Sequence, residues 1–342
     1  MKFRKLGRTG LDVSEIGFGC GTTAGLMIAG TAEEQRDAVA RALELGINYF
    51  DTAPVYGDSA SEANLGRTLR ALGAEPHVAT KVALSAADFP DIGGAAVRSV
   101  EASLKRLGRS KITLIQLHNR VASRRAPKAG FGTGALLNID DVLGPGGVVE
   151  AFRHLRARGF VDFFGCSAFG GEPAAVDRLI DSGDFDAIIV SYSALNPSAW
   201  LAAPPGAGIR DYAMAGSKAA AAGMGTIALR ILEGGILSGA HALPSVRGPA
   251  PDDAEMMSRA AKMRALAESE DCTLPEIGTR FALSNPDVST VLVGFSDRSQ
   301  IEQAVGFAAR GGLSASTLSR MGSLFSAARV ERTAARTEST GA

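Results

Sequence analysis

Three cysteines, four histidines and one tryptophan are all that 342 residues supply of those types. Cys20, Cys166 and Cys272 are too few and too scattered for a disulfide framework or a zinc site. Excess charge of either sign is also missing, since 36 Lys+Arg offset 36 Asp+Glu. A balanced chain has no basic footprint for nucleic acid or for an anionic membrane, and neither is expected as a partner. No window holds the run of about 18 apolar residues that a membrane span needs. The opening MKFRKLGRTG has no long apolar stretch behind its basic residues, so no secretory leader is expected. Glycine, by contrast, is plentiful at 41 residues, in a chain 46% hydrophobic and 21% charged. Those are ordinary values for a folded protein, and the expectation is a soluble, cytoplasmic α/β chain.

Short apolar runs rich in β-branched or aromatic residues alternate with amphipathic stretches. The strand candidates are Glu15–Cys20, Asn48–Thr52, His77–Val82, Ile112–His118, Val161–Ser167, Ala187–Ser193, Thr226–Ile231 and Thr290–Phe295. Helices are expected over Thr31–Leu45, Glu62–Leu72, Gly93–Leu107, Gly147–Arg158 and Pro173–Asp181, with Gly73, Gly108 and Gly159 as stops. Strands alternating with helices imply parallel βαβ units. About eight units without a composition break read as a closed (β/α)8 TIM barrel, with a doubly wound open sheet as the alternative. Phe3–Leu6 and Leu11–Val13 flank a Gly7–Gly10 turn, which predicts an N-terminal hairpin plugging the barrel mouth. One barrel domain is expected over residues 1–331, with a flexible polar tail over 332–342. Asn119–Gly146 and Ala194–Asp211 are long loops, the kind of segment that forms binding loops or lids.

Ionisable residues fall at the strand ends. Asp51 ends the second strand, Lys81 the third and His118 the fourth. In a parallel barrel these ends share one rim, with neighbouring strands about 4.8 Å apart, so the three converge if their pleat phases agree. Tyr56 follows Asp51 by a tight turn that can fold it over the rim. Buried charges are expensive singly, which suits Asp51 and Lys81 to each other. A phenol titrates near ~10 and is a reluctant acid at neutral pH. A neighbouring ammonium lowers that value, and a carboxylate holds the ammonium in place. His118 can orient a carbonyl by a hydrogen bond. Such a metal-free site moves a proton and needs a hydride from a nicotinamide cofactor. Taken singly, each residue also has a structural reading: Tyr56 as turn packing, Asp51 as a cap, Lys81 as a solvated strand end, His118 as a core histidine. His77, His154 and His241 are read as structural.

The sequence resembles the aldo-keto reductases. FDTAPVYG (Phe50–Gly57), VATKV (Val78–Val82) and LIQLHN (Leu114–Asn119) match that family's motifs in order. Arg4–Gly21 and Asn285–Val305 (which contains VLVGFSDRSQ) are similar to its ends. The resemblance implies Tyr56 as general acid/base, Lys81 as its tuning partner, Asp51 as charge partner and His118 as carbonyl-orienting group. It also implies cofactor contacts at Gly21, Thr22, Asp51, Ser167, Leu232, Gly294, Ser296, Arg298 and Gln300, with Phe295 in the same turn. The glycine turn before the last helix reads as an anion site. Arg298 suits a 2′-phosphate, so NADP(H) is favoured over NAD(H). Asp297 and Ala304, the latter where relatives usually carry Asn, depart from that pattern. GFGCG (Gly17–Gly21) is not a dinucleotide fingerprint, because no helix opens straight after it. At the nicotinamide end Ala168, Ile189 and Leu229 replace the family's Asn, Gln and stacking aromatic, and Arg230 is the compensating candidate.

For substrate, Arg120, Arg124, Arg125 and Lys128 form either a basic lid for an anionic or polyhydroxylated carbonyl compound or a solvated face. Trp200 either walls the pocket or pins its own loop. The reading is an oxidoreductase acting on a small-molecule carbonyl substrate. The alternatives are a cofactor-binding regulatory subunit with little turnover and a sugar dehydrogenase running oxidatively. Nothing in the pattern specifies an oligomeric state.

Overall fold

The computed structural model describes residues 1–128, 133–205, 207–238 and 253–323; the expected tail and His241 lie outside them. An antiparallel hairpin comes first, β1 (Phe3–Lys5) and β2 (Asp12–Ser14). Eight strands then close a barrel: β3 (Ile16–Gly19), β4 (Tyr49–Asp51), β5 (His77–Val82), β6 (Ile112–Leu117), β9 (Val161–Ser167), β10 (Ala187–Ser191), β11 (Gly225–Leu229) and β12 (Val288–Gly294). All eight seams are parallel, with β12 returning to β3. This is the (β/α)8 TIM barrel. A separate parallel pair, β7 (Val121–Ala122) and β8 (Leu137–Asn138), sits in the long loop after β6. No helix among the described residues is long and apolar enough to cross a membrane.

Local chemistry sets the element ends. Thr31 and Glu34 cap the helix Ala32–Glu44 reciprocally: the Glu34 amide donates to the Thr31 hydroxyl at 3.2 Å, and the Thr31 amide to the Glu34 carboxylate at 2.8 Å. Gly73 and Gly108, at φ 60° and 63°, stop the helices Ala60–Leu72 and Ile92–Leu107 in a left-handed conformation. Several strands end earlier than the apolar runs do. β11 stops at Leu229 because Arg230 turns to φ 58°, and β10 stops at Ser191.

Apolar residues bury on both faces of the barrel wall. The outward set, such as Val78, Ile115 and Val190, packs beneath the helices. The inward set is Tyr49, Ala79, Leu114, Ala187, Ile189, Ile227 and Leu292, and it includes Leu6 and Val13 from the hairpin. The hairpin therefore plugs the N-terminal mouth. Leu6 is fully buried against Gly225, where an added Cβ would lie 2.6 Å from its Cδ1. Arg4 fastens the plug by donating to the carbonyls of Leu283, Asn285 and Val288 at 2.8–2.9 Å. Leu6→Ala is expected to cost about 2–5 kcal/mol of stability, since the closed floor cannot collapse into the space. Urea denaturation midpoints check this, and Leu6→Met should stay near the parent.

Candidate active site

Pleat parity decides what the rim brings together. Tyr49 and Asp51 on β4, Ala79 and Lys81 on β5, and Leu114 and Gln116 on β6 alternate with outward residues and face the barrel interior. Asp51 lies opposite Ala79, and Lys81 lies opposite Gln116. Lys81 thus starts one pleat nearer the rim than Asp51, and its stem turns back. Its ammonium donates to Asp51 Oδ1 and, at 2.8 Å, to the Thr52 carbonyl. The pair is sealed off, with Lys81 1% and Asp51 3% exposed. Behind Lys81, Thr80 faces the other way and donates to the buried Glu62 at 2.5 Å; Arg106 donates to the second Glu62 oxygen at 2.6 Å. This outward ion pair fixes the strand that carries Lys81.

Tyr56 reaches the same spot from the turn after β4, which is closed by its amide donating to Ala53 at 3.1 Å. The Lys81 nitrogen lies 5.0 Å from the centre of the Tyr56 ring. His118, one residue beyond β6, meets that ring edge-on with centroids 5.9 Å apart. Phenol and imidazole are both half-buried at the rim, while the ion pair beneath them is fully covered.

The electrostatics differ from the sequence reading in one respect. Burial pushes the Tyr56 phenol above its ordinary value; Lys81 pulls it down by charge and hydrogen bonding, while Asp51 adds to the rise. The net direction is up, not down, because burial outweighs the pull of Lys81 and the Asp51 carboxylate adds to the rise. Burial opposes the Lys81 charge, yet Asp51 and Tyr56 together outweigh it and raise the ammonium's value. His118 is lowered to about 3 by burial and then by the Lys81 charge, so its imidazole is neutral across the working pH range. The arrangement offers a protonated phenol, a cation behind it and a neutral imidazole beside it.

Two further residues escaped the sequence reading. Gln116 donates to Asp51 Oδ2 at 2.8 Å; its signal was a polar residue with inward parity, two places before His118, in an apolar strand. Asn119 holds the Leu84 amide and carbonyl, both at 2.7 Å, and the Ala135 carbonyl at 2.9 Å. It clamps the exits of β5 and β6 to the loop that follows.

The residues that the resemblance assigns to a cofactor lie along the same rim. Gly21 faces Tyr56, where an added Cβ would sit 3.8 Å from the ring, and Thr22 is exposed. Ser167 accepts from the Phe169 amide at 3.2 Å. Ala168 and Ile189 are buried, and Leu229 and Leu232 are half-buried. Arg230 lies 5.3 Å over the Phe169 ring and 3.4 Å from Glu233, which in turn accepts from Ser193 at 2.6 Å. At the other end Gly294, Ser296 and Arg298 are exposed. Ser296 and Gln300 exchange hydrogen bonds at 2.8–2.9 Å, and Arg298 is 3.5 Å from Glu302. The expected anion site at the helix Arg298–Ala309 is altered by Asp297, whose carboxylate already accepts the Ser299 and Gln300 amides at 2.8 and 3.2 Å. A phosphate there meets side chains, not open backbone N–H groups. With an exposed guanidinium at one end and a cation-aromatic pair at the other, the rim fits a dinucleotide in its donor chemistry.

The basic-lid expectation narrows. Arg125 is paired with Asp141 and lies 5.0 Å over Phe89, and Arg120 donates to the Gly170 carbonyl at 2.5 Å. Arg124 and Lys128 are exposed. Trp200 pins its own loop: it packs 4.5 Å from Tyr192 and covers Gly216.

Comparison with known proteins agrees with this fold. The model of the Aldo/keto reductase family matches residues 15–324. L-galactose dehydrogenase of Arabidopsis thaliana is 29% identical over 313 residues, covering 89% of this chain and 87% of that protein. Pyridoxal 4-dehydrogenase of Microbacterium luteolum is 25% identical over 334 residues, covering 88% and 91%. Among solved structures, an aldo-keto reductase from Bacillus halodurans in its holo form shares the fold with a TM-score of 0.73, at 24% identity over 95% of this chain and 96% of that one.

Proposed function

This chain belongs to the aldo/keto reductase family of oxidoreductases, which use nicotinamide cofactors, and on that premise we propose that it interconverts a carbonyl compound and its alcohol with Tyr56 as the acid and base. The observation that carries the reading is a half-buried phenol at the barrel rim, directly above a covered Lys81–Asp51 pair. When bound, the nicotinamide supplies the hydride. The protein's part is the proton. Tyr56 delivers it to the carbonyl oxygen, and the phenolate left behind is stabilised by the Lys81 ammonium. Asp51 keeps that ammonium in place, and neutral His118 orients the carbonyl by hydrogen bonding.

Gly294, Ser296, Arg298 and Gln300 would hold the adenosine phosphate end. Gly21, Thr22, Ser167, Arg230 and Leu232 would hold the nicotinamide end, with Asp51 beneath. The exposed Arg298 supports NADP(H) ahead of NAD(H). A second reading, a sugar dehydrogenase working oxidatively, is supported by the 29% identity to L-galactose dehydrogenase. It uses the same four residues with the proton flowing the other way.

The raised phenol fixes the expected pH dependence. Reduction needs the protonated form, which is complete below the Tyr56 value and lost as pH rises through it. Carbonyl reduction should therefore be flat through neutrality and fall only in strong alkali, whereas alcohol oxidation should climb with pH. Turnover in both directions over a panel of aldehydes, ketones and aldoses checks this, beside dissociation constants for NADPH and NADH. Tight cofactor binding with no hydride transfer on any of them would favour a regulatory subunit instead.

A further inference from the structure

We propose that Gln116 is a positioning residue for the proton-transfer site, fixing the Asp51 carboxylate from the side opposite Lys81; the role rests on the catalytic reading given above. The two carboxylate oxygens have different holders. Lys81 takes Oδ1, and the Gln116 amide donates to Oδ2 at 2.8 Å. Only the NH2 end of an amide can donate to a carboxylate, so the chemistry fixes which way Gln116 points. Its side chain is fully buried, and its Oε1 has no hydrogen-bond partner among the described residues. An amide with one end unsatisfied is a poor choice for packing alone, because burial of an unpaired acceptor is unfavourable. The space it occupies is also kept clear. Gly165 stands opposite on β9, and a Cβ there would approach Gln116 Cγ to 2.8 Å. The neighbouring strand thus yields its own side chain to this amide.

Held at both oxygens, Asp51 cannot rotate, and the ammonium it grips stays beneath the Tyr56 ring. Without the amide, the carboxylate turns toward other partners and Lys81 follows it, so the phenol loses part of its supporting cation. The charged and titratable groups around this point are Asp51 from β4, Lys81 from β5, His118 beyond β6 and Tyr56 from the turn. Cys20 beyond β3 and Tyr49 below are the remaining ones, and burial raises both, so they stay neutral.

The test pairs Gln116→Leu with Gln116→Glu. The leucine variant removes the donor, and kcat for reduction is expected to fall about 10- to 100-fold, the usual span for a hydrogen bond to a charged group, with KM and cofactor affinity near the parent's. A second readout needs neither cofactor nor turnover. Ultraviolet titration of tyrosinate, with Tyr56→Phe subtracted to isolate residue 56, should move upward in Gln116→Leu. The glutamate variant can donate only while it holds a proton beside Asp51. Its turnover should approach the parent's at acid pH and fall as pH rises, where the parent is flat. Parent-like kcat and an unmoved Tyr56 titration in Gln116→Leu would overturn the proposal. If that variant does not fold, a Gln116→Glu profile as flat as the parent's overturns it instead. A parent without turnover would defeat the enzymatic reading, and the tyrosinate titration would still decide the role of Gln116.

Discussion

Tyr56→Phe is expected to lower kcat for carbonyl reduction by about 100- to 10,000-fold, the contribution of a positioned general acid, while cofactor affinity stays near the parent's. The ring remains, so its edge contact with His118 and its place above Lys81 persist. Only the proton that the oxygen carries is removed. Stopped-flow single turnovers separate this from slow product release, because the hydride step itself should slow. The loss should extend to alcohol oxidation, since one hydroxyl serves both directions. Unchanged single-turnover rates would take Tyr56 out of its assigned role.

Lys81→Met acts at a deeper level and should damage both turnover and stability. Methionine keeps the length of the stem but leaves the Asp51 carboxylate, 3% exposed, with the Gln116 amide as its one remaining hydrogen-bond partner among the described residues. Breaking a buried pair from one side costs about 3–5 kcal/mol, which denaturation midpoints will show directly. Turnover should fall by about 100-fold or more, because the phenolate formed during reduction loses the cation beneath it. Adding Asp51→Asn is expected to recover part of the stability and none of the turnover. Full recovery of turnover in that double variant would mean that the pair serves the fold alone. Non-additivity between the two sites is the expected signature of a shared interaction.

The barrel was legible because each βα unit announces itself separately. Val78, Ile115 and Val190 are apolar at strand spacing, and Gly73 and Gly108 mark helix ends. Strand lengths were less so. The run Thr226–Ile231 is apolar enough to continue, but Arg230 turns left-handed and its side chain lies over Phe169, which is far from it in sequence. The convergence of Asp51, Lys81 and His118 could be stated as a condition on pleat phase, and the registers between β4, β5 and β6 meet that condition. The direction of the phenol's shift was out of reach, because it is a contest between burial and two opposed charges at distances set by the fold. Gln116 was overlooked for a related reason: glutamine carries no charge to flag it. For the basic stretch the sequence left a lid and a solvated face both open, because the partner of Arg125, Asp141, lies 16 residues away in the chain.

The hairpin closes the far mouth of the barrel. Below Asp51 lie Tyr49, Ala79 and Leu114, and below them Leu6 and Val13, all without solvent contact. Those buried layers stand between the Lys81–Asp51 pair and the hairpin side of the barrel, and Tyr56 lies on the rim side. On the proposed reading, a ligand seated on the tyrosine would cover the ion pair from the rim side for as long as it stays.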